Sequence, residues 1–392
     1  MSRTGGCATT RGYNGPMSSV KPNEVAIVGG GIMGCVVALR LAQQGFAVTV
    51  VERGIPGAEA SSAAAGVLGP QWEMDAPGPL LDLGLRSRAM YPAFAAELRE
   101  LTGMDIGFKR CGLIELALDE YGEEALYQRQ RWQTAQALNA EFLTATQVKE
   151  LEPALGPHVR AGLYLQDEGA VNPRTLARAL SHAAAAAGVT FLQGRYVRSV
   201  AIADGRVQGL ELDGDDVSAD AVVVAAGSWS SLVQGGQVPA PVVRPARGQA
   251  LSVQMRPPLF RHVLAPYRKG YLVPRDDGMA VIGSTLEMVG YRKEVTVAGL
   301  TSILQIAAAV VPALGPLPIT ETWSNFRPFT SDLLPVLGRT AVDGLYLATG
   351  HHRYGILLAP ITGELLAQQI SGQPLVVDPA PFSISRFLKT TA

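Results

Sequence analysis

The sequence predicts a mixed α/β fold: a Rossmann-like dinucleotide-binding domain with a second, mainly antiparallel domain inserted into it. Three observations predict it. An apolar strand, Val25–Ala26–Ile27–Val28, runs into the turn Gly29–Gly30–Gly31–Ile32–Met33–Gly34, a helix follows from Cys35 to Gln44, and a second strand, Ala47 to Val51, ends in Glu52. Two more strand-then-glycine pieces stand far away, at 221–228 and 345–356. Between about 239 and 320 the texture changes to short strands, prolines and aromatics.

Each element has a physical reason. In the G-x-G-x-x-G turn, Gly29 makes the tight bend, Gly31 lets the backbone approach a pyrophosphate, and Gly34 lets the helix pack against the strand. The helix N-terminus offers free N–H groups and a partial positive charge to phosphates. Glu52 accepts hydrogen bonds from a ribose. A loop dense in Ala, Ser and Gly follows from Gly57 to Gly69. Helical patterns occupy 79–102, with Arg86, Arg88 and Arg99 on polar faces, and 121–138, with its charged positions outward. Residues 111–118 read as a strand. Asn172 caps a helix that Pro173 opens and Gly188 stops. Strands follow at 189–202 and 206–212, with Asp204–Gly205 as their hairpin turn. The run Ala221–Val224 reads as a buried strand, Ile303–Val311 as a core-facing helix ended by Pro312, and Gly355–Ile370 as a helix after a glycine turn.

The boundaries that result are an N-terminal extension (1–23), a discontinuous dinucleotide domain (24–108, 172–238 and 325–372), a substrate domain (109–171 and 239–324) and a tail (373–392). The extension is read as flexible, with Met17 as a candidate start. It lacks the apolar region of a secretory signal.

Composition narrows the function classes. Apolar residues are 47% and charged residues 17% of the 392, which fits a compact globular protein with a large core. The formal net charge of −1 gives nucleic acid or an acidic membrane surface little to attract. No apolar run reaches the length of a membrane span. The three cysteines, Cys7, Cys35 and Cys111, are odd in number and form no C-x-x-C pair, which argues against a disulfide framework or zinc site and fits a reducing cytoplasm. His351–His352 is not expected to hold a metal, because adjacent residues in an extended turn point opposite ways.

The fingerprint alone leaves NAD and FAD open. A plain NAD dehydrogenase keeps its nucleotide domain contiguous, whereas here one sheet is assembled from three distant segments. That favours FAD, a long cofactor contacted by several loops. A helix starting at Gly355 and aimed at the flavin ring stabilises the negative charge of reduced flavin.

The chain resembles the D-amino-acid oxidase superfamily, and within it the bacterial glycine oxidases. The resemblance covers nearly everything from Val25 to Ile370. It rests on the turn above, on Ala60–Ser61–Ser62–Ala63–Ala64–Ala65–Gly66, Ala225–Ala226–Gly227–Ser228–Trp229–Ser230, Arg247–Gly248–Gln249, Tyr271–Leu272–Val273–Pro274–Arg275, Gly283–Ser284–Thr285–Leu286–Glu287, Phe326–Arg327–Pro328, and Gly350 through Pro360. It implies FAD as cofactor. Gly29, Gly31, Ile32, Met33, Gly34, Glu52 and Arg53 then fall at the ADP half. Ser61, Ser62, Ala64, Ala65 and Gly66 fall near the pyrophosphate and flavin. Val197 contacts adenine through its backbone. Ala226, Gly227 and Trp229 line the cofactor, and His352, Arg353, Tyr354, Gly355, Ile356 and Leu357 lie by the flavin. Related sarcosine oxidases tether the flavin through a cysteine; Asn325 stands near that position here, so the FAD is expected to be non-covalent.

The resemblance further implies a small amino-acid substrate whose carboxylate lies on Arg327 and Tyr271, with Arg353 as a second contact. Arginine's planar fork matches a carboxylate by two parallel bonds. Implied too are oxidation of glycine, sarcosine, N-ethylglycine or small D-amino acids to an oxo acid, ammonia or an amine, and H2O2 from O2, a place in thiamine biosynthesis, and a homotetramer. Two departures bear on the substrate. The usual Gly-Leu-Arg-Pro-Gly pattern is Asn325–Phe326–Arg327–Pro328–Phe329 here, and Tyr354 replaces the usual Asn; extra aromatics either shrink the site or receive an apolar side chain. Other readings of the residues are a dehydrogenase of the same fold that feeds a quinone or partner protein, a flavin-binding subunit without turnover, and an NAD-dependent dehydrogenase.

Overall fold

The computed structural model describes residues 23–388. Of the expected extension 1–23, residues 1–22, with Cys7 and Met17, lie outside the described residues. The strand–turn–helix–strand opening forms as Glu24–Val28, Ile32–Gln43 and Ala47–Glu52. These two strands nucleate a six-stranded sheet. Its order is 336–339, 345–349, 221–224, 24–28, 47–52, 190–193. All neighbours run parallel except the edge pair 336–339 and 345–349. From the central strand 24–28 the chain builds outward one way through 47–52 and 190–193. It then returns to build the other way through 221–224 and 345–349. The reversal places a crevice between the C-terminal ends of 24–28 and 221–224, where open α/β sheets bind ligands.

The sheet is buried on both faces, so its strands read as continuous apolar runs rather than alternating ones. Side chains still alternate between faces. Val25, Ile27, Val48, Val50, Ala221 and Val223 pack into one core with the helices Ile32–Gln43 and Gly355–Ser371. Ala26, Val28, Val51, Val222 and Val224 pack into another, under the meander of strands 197–203, 206–212 and 217–218. Gly34 permits the first helix to lie this close: a Cβ there would stand 1.9 Å from the Gly29 carbonyl oxygen. Cys35, next to it, donates to the Gly30 carbonyl, and burial pushes its thiol up to about 12, so it is a packing residue.

A second sheet has eight strands in the order 319–329, 244–254, 279–283, 271–274, 263–266, 113–117, 161–165, 141–144. It is antiparallel except where 263–266 meets 113–117. Strand Ile319–Phe329 runs unbroken through Asn325. The change of sheet therefore comes after Phe329 rather than at 325.

Four local expectations need correction. The single strand at 189–202 is two: Thr190–Gln193 joins the parallel sheet, Gly194 turns the chain with φ +68, and Val197–Ala203 begins the meander. The Gly57–Gly69 loop contains a helical turn, Ala60–Ala63, and a short strand, Val67–Leu68. Arg88 does not face solvent with Arg86 and Arg99; it turns inward to the buried carboxylate of Glu168 at 2.8 Å. Arg129 of the Glu120–Ala135 helix also points inward, 7% exposed. Polar residue type failed as a guide at both arginines because each meets a buried carboxylate, which sequence spacing does not reveal.

Candidate functional site

Two adjoining cavities open at the crevice, sharing Gly31, Ala60, Ala225 and Gly227. The smaller, about 140 Å³, is lined by Gly29, Glu52, Arg53, Val197, Ala226 and Trp229 among others. Glu52 accepts from the Gly30 and Gly54 amides, each at 2.8 Å, which fixes its carboxylate at the cavity wall. The Arg53 guanidinium lies 3.8 Å from the Trp229 ring centroid, a cation–π contact. Trp229 in turn stacks on Tyr291 with centroids 5.6 Å apart.

The larger cavity measures about 660 Å³. Its floor contains two helix N-termini, at Gly31–Ile32–Met33 and at Gly355–Ile356. Neither helix carries a side-chain cap, so their first N–H groups favour an anionic or electron-rich ligand group. At the first, only the Ile32 amide finds a side chain, donating to Ser61 Oγ at 2.9 Å. Ala64, Ala65 and Gly66 form one wall. Arg275 holds that wall from behind, donating to the carbonyls of Ala65 and Val171. Burial draws this guanidinium down to about 10.

At the far end stand Tyr271, Arg327, His352 and Arg353. Arg327 lies across Gly248 of the neighbouring strand; a Cβ on Gly248 would meet its Nη1 at 2.3 Å. The guanidinium donates to the Thr285 carbonyl at 3.1 Å and to Ser284 Oγ. Thr285 is itself held by Glu287, which also takes bonds from Arg247 and Gln249. Burial would raise the Glu287 carboxyl, but these donors outweigh it and hold it at about 2. Burial lowers the Arg327 guanidinium, while Tyr271 works against that shift.

Ion pairing sorts the charged groups lining this cavity. Arg353 Nε meets Glu73 Oε2 at 3.1 Å, Arg129 meets Glu115 at 3.1 Å, and Arg268 meets Asp75 at 3.2 Å. Lys269 meets Asp119, outside the cavity, at 3.4 Å. Arg327 has no carboxylate partner among the described residues. Burial raises the Glu73 carboxyl and the neighbouring arginines Arg353, Arg327 and Arg129 oppose it. Burial likewise lifts Glu115, to about 7.

The two histidines diverge, as adjacent residues in a turn do. His351 bonds Thr362 Oγ1 at 3.2 Å on the helix side. His352 packs edge-on against Phe329, with centroids 5.3 Å apart, and neither of its ring nitrogens has a partner among the described residues. Burial holds both rings neutral at ordinary pH, with values of about 3.

Most of the expected site residues thus line the two cavities; Gly34, Ser62, Tyr354 and Leu357 do not. Ser62 turns back to the Gly57 carbonyl at 2.6 Å. Tyr354 and Leu357 are buried in the core behind the Gly355 helix. Of the additional aromatics, Phe326 lines the larger cavity and packs on Trp229 and Tyr291, while Phe329 lies outside the lining and packs on His352. Sequence reasoning missed Trp72, Glu73, Glu115, Arg129, Arg268 and Lys269. The signal for Glu73 was the carboxylate just after the Ala-Gly loop; for Arg129 there was none, since its partners are 14 and 54 residues away in the chain.

Fold and cavity together are those of the dinucleotide-binding oxidoreductases. Residues 24–369 match the family described as FAD dependent oxidoreductase (DAO), and the chain belongs to that family. Its curated relatives include the glycine oxidase of Geobacillus kaustophilus, 37% identical over 368 residues, covering 93% of this chain and 97% of that protein. The bifunctional protein ThiO/ThiG of Synechocystis sp. is 38% identical over 378 residues; the chain spans 55% of its length. The crystal structure of the Geobacillus kaustophilus glycine oxidase superimposes with a TM-score of 0.89 at 36% identity, covering 93% of this chain and 98% of that one. Among the described residues no helix is long and apolar enough to cross a membrane.

The site fits FAD. A Cβ at Gly29 would strike the Ala225 carbonyl oxygen at 2.8 Å, and Gly31 leaves its backbone bare at the junction of the two cavities. The uncapped N-termini would supply donors to the anionic and electron-rich groups of such a cofactor.

Proposed function

We propose that this chain oxidises glycine and other small amino acids or N-alkyl glycines, holding the substrate carboxylate on Arg327 beside Tyr271. The observation that carries this reading is the set of ion pairs: among the described residues, Arg327 is the buried cation of the cavity with no carboxylate in ion-pair contact. A buried charge without a partner is costly, and a substrate carboxylate supplies the partner. The glycine oxidase relatives support the same substrate class.

Bound FAD supplies the two-electron acceptor and passes the electrons to O2 as H2O2. The protein's own work is placement. Arg327 fixes one end of the substrate, so the Cα–H bond can be aimed at the cavity wall formed by Ala64–Gly66 and Gly355–Ile356, which would hold the flavin. Held reactants of this kind gain rate through orientation alone. Loss of two electrons and two protons converts the neutral amine to an imine, and water then releases the oxo acid and ammonia, or an amine from an N-alkyl glycine. Glu52 and Arg53 hold the adenosine end in this reading. The FAD is non-covalent in this reading, supported by walls that, among the described residues, contain no cysteine; yellow colour left on acid-precipitated protein would overturn that. The ThiO/ThiG relative supports a role in thiamine biosynthesis.

The test is anaerobic flavin reduction by glycine in Arg327→Ala. Loss of a buried charge partner costs about 2–5 kcal/mol of substrate binding. FAD should stay bound while saturation by glycine disappears. Unchanged saturation refutes the assignment.

A further inference from the structure

The geometry points to Glu73 as the residue that limits the substrate to one carboxylate, by occupying Arg353 and repelling a second anionic group. This rests on the reading of Arg327 above. Two guanidiniums line the substrate end of the larger cavity, Arg327 and Arg353. An uncommitted pair of forks would receive a dicarboxylate as readily as a monocarboxylate. Only Arg353 is committed, through its Nε to Glu73 at 3.1 Å.

Glu73 is well placed for that task. It ends the short turn Pro70–Glu73, where the Glu73 amide bonds the Gly69 carbonyl at 3.0 Å. The turn is pinned from below: Glu168, fully buried, accepts from the Gln71 amide at 3.0 Å and from Arg88 at 2.8 Å. The Glu73 side chain is 11% exposed, too buried for solvent to screen it well. A second substrate carboxylate reaching Arg353 would come within a few ångströms of it. At an effective dielectric of about 20, like charges about 4 Å apart repel far more strongly than a tenfold penalty requires. The other three cations of the wall give no alternative seat, since Arg129, Arg268 and Lys269 each hold a carboxylate.

The experiment compares glycine, iminodiacetate and the monoamide of iminodiacetate in the FAD-loaded wild type and in Glu73→Gln. The monoamide matches the diacid in size and lacks its second charge. In the wild type, kcat/KM for the monoamide should exceed that for the diacid by at least about tenfold, a factor equal to 1.4 kcal/mol. Glu73→Gln should shrink that ratio by about tenfold or more, and adding Arg353→Met to it should remove the gain. If neither compound turns over, their inhibition constants against glycine oxidation give the same ratio. A wild type that takes diacid and monoamide equally well overturns the proposal, whether or not the variant folds. So does a ratio that Glu73→Gln leaves in place. Failure of the wild type to oxidise glycine sinks the proposed activity instead, and the two failures are distinguishable.

Discussion

Gly248→Ala is the sharpest local probe of the substrate end. Gly248 sits in strand Arg244–Gln254, and a Cβ built on it would lie 2.3 Å from Arg327 Nη1, 2.5 Å from Nη2 and 2.6 Å from Cζ. Ordinary contact begins at 3.4 Å, so the guanidinium must retreat by about 1 Å. It can do so, because it is the far end of a flexible side chain; the strand need not move. Gly248 has no positive φ, so alanine fits its backbone, and the exchange removes the entropic cost of glycine in a strand, about 0.5–1 kcal/mol. The fold and the FAD site should therefore persist, while the carboxylate anchor is displaced. A 1 Å misplacement of a positioned group costs about 100-fold. That corresponds to about 2.7 kcal/mol in kcat/KM for glycine. The assay is stopped-flow flavin reduction against glycine concentration, with the melting temperature and the flavin spectrum as controls. A Gly248→Ala enzyme within about threefold of wild type would refute the claim that Arg327, held as it is across this glycine, anchors the substrate.

Gly34→Ala should behave oppositely. Its Cβ would meet a backbone oxygen, Gly29 O, at 1.9 Å, which no rotamer can relieve, so destabilisation of about 1–3 kcal/mol or more is expected, read as a lower melting temperature with weakened FAD retention; a wild-type melting curve would contradict it. Glu168→Gln should change how stability depends on pH. Burial lifts the Glu168 carboxyl to about 8, well above its unfolded value of about 4.3, so its contribution is fully present below about pH 4.3 and declines as pH rises toward 8. Urea unfolding between pH 5 and pH 8 should show the wild type losing more stability than Glu168→Gln over that window, and parallel curves would count against the buried-acid reading.

The opening of the parallel sheet was legible because its cues are local. Val25–Val28, Gly29–Gly34 and Ala47–Glu52 follow one another within 30 residues, and glycine spacing carries a direct steric meaning there. The break at Gly194 was not legible, because the residues on either side are equally strand-like and only the partner strand decides where each belongs. Arg327 was singled out through its motif and not through its chemistry: nothing in Asn325–Phe326–Arg327 says that the guanidinium would lie over Gly248 of the neighbouring strand. Phe329 and Tyr354 misled for the opposite reason. Their type was plain, but whether each faces the cavity, as Phe326 does, or packs away from it depends on tertiary placement.

The ion pairs show why the substrate end resists sequence reading more than the cofactor end does. A pyrophosphate is recognised by backbone N–H groups, and a glycine turn before a helix announces those in a single stretch of chain. A carboxylate is recognised by a charge that has no other partner, which is a property of the whole set of neighbours. Arg353 looks as suitable as Arg327 when each is read alone, and both lie in glycine- or proline-flanked turns and strand ends. What separates them is Glu73, about 280 residues from Arg353 in the chain and 3.1 Å away in space. Arg129 is separated from service in the same way by Glu115, and Arg268 by Asp75. On the reading proposed above, the specificity of the cavity would be carried as much by the carboxylates that pair its other cations as by Arg327. Selection for a different substrate charge can act on Glu73, Asp75 or Glu115 without touching Arg327 or the FAD-binding turn.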